Sequence, residues 1–536
     1  MSLKDNFDYD PNSLDFKDAL SFILKNIPQP NPNEAFDINA PDSLNYILAQ
    51  DVLSPINIPG FDNSAMDGYG FNSEGSEYQS FKVIGKSFAG TPFNGTIAKD
   101  ECIRIMTGAK IPPSCDCVIM QEKIEIVDDN LIKPLINIQK DLNIRKTGED
   151  IKEGATALTK GTQINPKNLG YLCSLGIPKI NVNRKLKVSF FSTGDELVEL
   201  GNTLSDGQIY DSNRYTIKSY LENLNCETFD LGNIKDDKEY LKKIIIESSK
   251  KSDIIITSGG VSVGEADFIK QILNEVGETL FWKIAMKPGR PLAFGKINNS
   301  IFFGLPGNPV AVMITLEKIV STAIRLMQGI TENKLVKNFN VRCKSFLKKT
   351  PGRVDFQRGI LKKDSDGELF VESTGAQGSN ILSSMVKANC LIVLPKDSGD
   401  IQIDDFVTVE LIWIMSIKLS ELQKNILYKE HTEKPFSSSL CNEKRKGTYV
   451  CAGCNAPLFT SDQKFESGTG WPSFFDSLPD SFETKSDRSF FMVRTEYHCK
   501  KCGGHHGHVF NDGPLPTGKR FCNNGEVLKF LPSVDS

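Results

Sequence analysis

Two cysteine pairs and one solitary cysteine stand near the C-terminal end of the chain. "YVCAGC" (449–454) sets Cys451 beside Cys454, and "YHCKKC" (497–502) sets Cys499 beside Cys502. Two intervening residues let both thiolates of a pair turn onto one ion, and two such pairs complete a tetrahedral four-thiolate zinc site. Redox-active or merely buried cysteines are the alternative reading. A closed zinc site has no open position for chemistry, so it leaves Cys522, in "KRFCNN" (519–524), unexplained. Arg520 favours its thiolate, the reactive form. "GGHHGHVFNDGP" (503–514) supplies His505 and His508, which exchange protons near neutral pH. "SGTGWPSF" (467–474) places Trp471 in a Gly/Pro-rich loop, where an indole face can wall a small apolar pocket. The types together suit a cysteine nucleophile with acids standing beside it.

A second chemistry is written earlier in the chain, without histidine. "VSFFSTGDEL" (188–197) reads as a buried strand, then a turn with Asp195 and Glu196. "SDIIITSGGVSVGEADFIKQIL" (252–273) repeats strand, glycine-rich loop and helix, with Glu265 and Asp267 in the loop. Glycine-rich turns present backbone N–H groups to phosphate, and acids in the same loops can hold Mg2+ against it. "WKIAMKPGRPLAFG" (282–295) adds Lys283, Lys287 and Arg290, and "FGLPGNPVAVM" (303–313) sets a Pro-Gly-Asn-Pro turn before a helix. Neither glycine loop is a P-loop or a full dinucleotide fingerprint. Pattern alone supports a phosphorylated ligand held with a divalent metal; ordinary turn glycines with solvated acids are the alternative.

The elements that must position these residues fall into two modules. All five histidines lie at or beyond His431, and six of the 13 cysteines follow residue 440. Near 411–435 a period-two pattern, "VTVELIWI", gives way to a helical one, "KLSELQKNILYKEHTE". The β-loop-α alternation at 181–330 predicts an open parallel α/β sheet with ligands at the carboxyl ends of its strands. With 536 residues the chain is expected to form four or five domains. Hydrophobic residues at 39%, charged residues at 24% and a net charge of -4 suit a soluble globular protein and give no basis for nucleic-acid or membrane binding. The first residues hold no apolar signal core and no run approaches a membrane span, so a cytoplasmic location is expected.

The stretch 418–533 resembles peptide-methionine (R)-S-oxide reductase, the MsrB family, through "EKRKGTYVCAGC", "FESGTGWPSF", "CKKCGGHHGHVFNDGP" and "PTGKRFCNN". The resemblance implies a small antiparallel β domain with a four-cysteine zinc. It also implies that Cys522 attacks the sulfoxide sulfur of free or protein-bound methionine sulfoxide and becomes a sulfenic acid. His505 and His508 are then the groups that protonate or polarise the oxygen. Trp471 holds the substrate methyl, and Asp512, Arg520 and Asn524 complete the polar shell. A thioredoxin-like thiol restores the enzyme. Where many members carry a resolving cysteine, the loop "SGTGWPSF" has Thr469 and no cysteine, so Cys441 in "SSSLCNEKRKG" is the alternative resolving thiol, with direct reduction by an external thiol as its rival.

Residues 1–413 resemble molybdopterin molybdenumtransferase of the MoeA type, related to the E domain of gephyrin. The motifs are "PGFDNSAMDGYGF", "RIMTGAKIP", "STGDELVE", "GQIYDSNRY", "TSGGVSVGEADF", "FWKIAMKPGRPLAFG", "GLPGNPVAVM", "DFQRG" and "QGSNILSSM". The implied reaction takes molybdate and adenylylated molybdopterin and releases AMP with the help of Mg2+. By motif, Asp195, Glu196, Asp267 and more weakly Asp236 handle metal and phosphate, and Lys283 and Lys287 neutralise the pyrophosphate. Pro306 and Pro309 shape the adjoining turn. Asp67 and Thr107 of a second lobe, with Arg358 and Ser379 of the C-terminal barrel, bind molybdate or pterin from a facing subunit. The family pattern further implies a homodimer and an elongated four-domain module. It has an N-terminal lobe (1–45 and 145–180), an inserted β-rich domain (46–144), an α/β domain (181–330) and a small β-barrel (331–413). The fold class is thus multidomain α/β plus β, followed by the zinc-containing antiparallel β domain. The leading expectation is a bifunctional enzyme. The alternative is a catalytic reductase half joined to an N-terminal scaffold.

Overall fold

The run Lys187–Thr193 is buried along almost its whole length, as expected for a strand covered on both faces. It lies inside a six-stranded sheet. In the computed structural model, residues 13–75, 78–260, 268–330, 338–412, 420–454, 456–487 and 494–532 are described. The chain divides into two compact units, Met1–Trp413 and Ile414–Ser536.

In the larger unit the sheet order is Glu227–Ile234, Lys187–Thr193, Ile254–Ser258, Ser300–Leu305, Pro291–Ile297, Glu278–Lys283. Its first three pairings are parallel and its last two antiparallel. The parallel half places Thr193, Ser258 and Leu305 at neighbouring carboxyl ends, where ligands gather in such sheets. Helix Ser212–Asn223 begins at Asp211, whose side chain accepts from Arg214 N, and its Asn213 reaches Ser258 Oγ (2.8 Å) and the Gly307 carbonyl (2.7 Å). That amide braces the turn after Ser300–Leu305 against the helix.

Further sheets, three of them described next, build the rest of this unit. Phe36–Asn39 pairs antiparallel with Lys179–Val182, joining segments far apart in sequence. Between them, Gly68–Phe71, Phe81–Ser87, Glu101–Ile105, Cys117–Met120, Ile124–Asp128 and Leu131–Pro134 form a separate six-stranded sheet. The last sheet runs from Met286–Lys287 through Val354–Lys363, Leu369–Ser373, Asn338–Cys343 and Phe406–Leu411 to Cys390–Leu394, and that final strand pairs back onto Val354–Lys363. The extra pairing closes the sheet into a small barrel, as expected.

The smaller unit starts with helix Glu421–Lys429, whose Ser420 and Gln423 form a capping box. It buries Ile426 and Leu427 in a core with Tyr449, Phe459, Phe474 and Tyr497. A three-stranded sheet (Pro457–Thr460, Gly447–Cys451, Leu528–Pro532) flanks a six-stranded one. The larger runs in the order Lys464–Phe465, Ser473–Phe474, Arg520–Asn523, His505–Phe510, Arg494–Cys499, Phe482–Asp487, every pairing antiparallel. Among the described residues no helix is long and apolar enough to cross a membrane.

Candidate functional sites

Register puts the nucleophile candidate in a row. Cys522 pairs with His508 on one side and Ser473 on the other, and His508 pairs in turn with Glu496. Directly opposed residues share a face, so Glu496, His508, Cys522 and Ser473 line up across four strands. His505 should not belong to that row, because residues three apart on a regular strand face opposite ways. A bulge changes this: Gly507 opposes Tyr497 while His505 opposes His498, leaving His506 as the extra residue. His505 thereby returns to the row's face, its ring centroid 5.7 Å from that of His508. His506 turns to the other face, fully buried, with Nε2 3.3 Å from Cys451 Sγ. Gly507 has φ +154°, and a Cβ there would stand 2.0 Å from the Cys522 carbonyl oxygen.

Around Cys522 the forces on the thiol oppose one another. Burial pushes its pKa up, while Thr469 and Arg520 pull it down. Thr469 Oγ1 lies 3.9 Å from the sulfur and continues through Ser467 Oγ (2.8 Å) to Ser473 Oγ (2.7 Å). Arg520 is held by a two-pronged pair with Asp512, 2.8 Å on each arm, and stacks over Phe510. Asp512 is thus one step removed from the sulfur. Burial pushes the His505 imidazole down to about 4, so at neutral pH this ring is uncharged, unlike the near-neutral proton donor expected from its type.

Trp471 is positioned by a residue the sequence reading did not single out. Its Nε1 donates to the Glu433 carbonyl (3.2 Å). The buried Glu433 carboxylate accepts from Gly525 N (2.8 Å) and Glu526 N (2.7 Å). Asn524, expected in the polar shell, is itself committed to backbone: its Oδ1 accepts from Glu433 N (2.9 Å) and its Nδ2 donates to the His506 carbonyl (3.1 Å). Cys441 Sγ donates to the Gly470 carbonyl (3.3 Å), against the Trp471 loop, and burial raises its thiol pKa.

The four paired cysteines converge. Cys451 and Cys502 sulfurs are 3.7 Å apart, Cys454 and Cys499 3.5 Å, and all four lie within 4.8 Å of one another. Tetrahedral thiolates at Zn–S distances of about 2.3 Å are separated by about 3.8 Å, so the cluster fits zinc.

In the larger unit a cavity of about 530 Å³ opens at the carboxyl ends of the parallel strands. Of the expected residues it gathers Glu196, Asp236, Lys287, Pro306 and Ser379. Thr193 Oγ1 hydrogen-bonds Asp236, and the Ser379 carbonyl accepts from Val310 N (3.1 Å). Pro309 opens the helix Pro309–Thr315 just behind the lining residue Asn308. Arg290, Arg353 and Gln377 also line the wall and carried no expected role. Arg290, Arg353 and Lys287 thus share one lining with Glu196 and Asp236, which suits an anionic ligand with a bound cation.

Other expected residues stand elsewhere. Asp195 is exposed and Lys283 ends an edge strand, neither on the cavity wall. Arg358, expected to meet molybdate or pterin, is instead 1% exposed; it bonds Ser384 Oγ and the Gly378 carbonyl, each at 3.0 Å. Burial pushes its guanidinium down to about 10. It braces the wall from behind because its strand turns it into the core. Asp67 and Thr107 meet on the inserted sheet, where Asp67 Oδ1 accepts from Thr107 N and Oγ1, each at 2.7 Å. Those bonds hold the exposed Asp67 carboxyl below its ordinary pKa. Asp267 lies outside the described residues.

Known proteins divide in the same way. Family models match in chain order: the MoeA N-terminal region (domain I and II) at residues 14–176, a probable molybdopterin binding domain at 189–326, the MoeA C-terminal region (domain IV) at 340–412 and a SelR domain at 419–532. A molybdopterin molybdenumtransferase of Haemophilus influenzae is 46% identical over 393 residues, which cover 73% of this chain and 97% of that protein. Gephyrin of Dictyostelium discoideum is 32% identical over 444 residues, 74% of this chain and 62% of gephyrin. The crystal structure of a MoeA protein of molybdopterin biosynthesis from Pyrococcus horikoshii matches with a TM-score of 0.64 at 26% identity, covering 75% of this chain and all of the other. With nearly the whole length of the Haemophilus protein matched, this chain belongs to the MoeA family of molybdopterin molybdenumtransferases and carries a SelR domain after it.

Proposed function

We propose that the chain is a bifunctional enzyme. Its larger unit inserts molybdenum from molybdate into adenylylated molybdopterin and releases AMP; its smaller unit reduces methionine-R-sulfoxide to methionine. The observation that carries the second activity is the row of Glu496, His508, Cys522 and Ser473, with Thr469 and Arg520 at the sulfur.

The Cys522 thiolate attacks the sulfoxide sulfur, and the oxygen, protonated from the histidine side of the row, ends on the cysteine. Methionine leaves and Cys522 becomes a sulfenic acid, the reversible rung of thiol oxidation. An external thiol of the thioredoxin kind then forms a mixed disulfide and expels water, and a second thiol frees Cys522. A disulfide between Cys441 and Cys522 is the internal route. Loss of that disulfide in C441S with thioredoxin-linked turnover unchanged would rule the internal route out. Cys451, Cys454, Cys499 and Cys502 would hold a zinc that ties two distant segments together and, with all four positions filled by thiolates, offers no open site for chemistry.

In the larger unit, the Glu196 and Asp236 carboxylates would hold Mg2+, which supplies charge neutralisation at the phosphoanhydride. Lys287, Arg290 and Arg353 bind and orient the phosphates. Asp67 and Thr107 reach a facing subunit's cavity in a homodimer, which accounts for their standing outside their own. The presence of acids and cations in one cavity favours catalysis over a gephyrin-like scaffold. Thioredoxin-linked reduction of methionine-R-sulfoxide by the full chain, abolished in C522S, tests the first half; AMP release from adenylylated molybdopterin with molybdate and Mg2+, lost in E196Q, tests the second. A folded, zinc-loaded chain without sulfoxide reduction would make the SelR domain a binding module.

A further inference from the structure

Beside Glu496 and His505 stands His498, a ligand-type side chain that the sulfoxide chemistry above leaves unused. Glu496 and His505 are 3% and 1% exposed. His505 Nδ1 lies 2.5 Å from one Glu496 carboxylate oxygen, and His498 Nε2 lies 3.4 Å from the other. One ligand atom from each of the three residues lies within 4.8 Å of the other two.

Two observations set this group apart from a buried ion pair. His498 Nδ1 is 3.2 Å from the Gly503 carbonyl oxygen. A carbonyl only accepts, so Nδ1 carries the hydrogen and, in the neutral ring, Nε2 carries the lone pair. That lone pair faces a carboxylate oxygen, acceptor against acceptor. Fixing one ring nitrogen on a backbone carbonyl so that the other offers its lone pair is how ligating histidines are oriented. Second, His505 Nε2 is buried without a hydrogen-bond partner, and the contacts of His505 Nδ1 and His498 Nε2 with Glu496 have ion-pair distances without hydrogen-bond geometry. Among the described residues a cation near the group is Lys485, with Nζ 3.3 Å from Glu496 Oε2; it also pairs with Glu430, and its side chain is 51% exposed, so it can withdraw into water.

We propose that Glu496, His498 and His505 form a second metal site, for a divalent transition ion of borderline softness such as zinc or cobalt, and that its occupation silences sulfoxide reduction by engaging His505. Two imidazoles and one carboxylate suit such ions, whereas magnesium and calcium prefer oxygen alone. The silencing clause rests on the reductase reading; the binding clause does not.

The test titrates CoCl2 into the full chain whose four-thiolate site is already filled with one zinc. One further cobalt per chain is expected, with weak d–d absorption and no thiolate charge-transfer band. H498A and the closer-shaped H498Q are expected to bind it about tenfold or more weakly. Methionine-R-sulfoxide reduction by the parent chain is expected to fall along the same binding curve. The ratio of rates with and without cobalt should move to correspondingly higher cobalt in both variants. A spectrum with thiolate character, no second ion, or unchanged binding in both variants overturns the site. Binding without inhibition overturns the silencing clause. A chain that binds the second ion but reduces no sulfoxide even without it overturns the reductase reading and leaves the site standing.

Discussion

At the scale of residues, the reactivity of Cys522 is a balance. Burial raises its thiol pKa and Arg520 lowers it, with a net rise. The thiolate is the nucleophile, so alkylation of Cys522 by iodoacetamide should quicken about tenfold per pH unit through neutral pH and level off only above the ordinary thiol value. In R520A the lowering influence is gone, so the whole profile should shift to higher pH; a shift to lower pH would contradict this placement of the arginine. Glu433 illustrates the other kind of residue, one that acts through others. E433A strands two buried N–H donors at Gly525 and Glu526 and should cost about 2–4 kcal/mol of SelR-unit stability in a denaturant melt, with E433Q, which keeps one acceptor, losing less.

At the scale of elements, the bulge at His506 brings the two catalytic histidine candidates together. Its keystone is Gly507, since a side chain there meets the Cys522 carbonyl. G507A should therefore either split the pairing of His505–Phe510 with Arg520–Asn523 or destabilise the unit by about 3 kcal/mol or more, read from thermal melting and loss of reduction together. Much of this site was legible in sequence: the paired cysteines, Cys522 and Trp471 are signalled by type and spacing. The bulge was not, because "HHGH" on a regular strand would separate His505 from His508. The same limit explains the arginines. "GRVDFQRG" offers Arg353 and Arg358 alike, and only the barrel's register decides that the first lines the cavity while the second braces it from the core. Glu433 lay in an unremarkable polar stretch, and its role arises from a turn about 90 residues away.

At the scale of the whole molecule, each unit has a core of its own, and the fold class, the closed barrel and the two-module division were all readable beforehand. Calorimetry should show two transitions, of which only that of the SelR unit falls when a chelator strips the zinc. A common shift of both would mean that the units unfold as one. The proposed homodimer with composite sites makes a second expectation. Neither D67N nor E196Q should release AMP alone, but mixing the two should restore roughly a quarter of the parent activity, because half the dimers then hold one intact site of two. No recovery would place Asp67 and Glu196 in the same protomer's site.

Thr469, set against the Cys522 sulfur where a second thiol could have stood, bears on time rather than on shape. A hydroxyl cannot condense with a sulfenic acid. In the proposed reaction without the Cys441 disulfide, an oxidised Cys522 would wait for a thiol from beyond that loop, for a time set by how much reductant the surroundings supply. On that route the oxidised fraction of the enzyme would gauge reducing capacity, and a long wait in peroxide would carry the sulfur past the point of return.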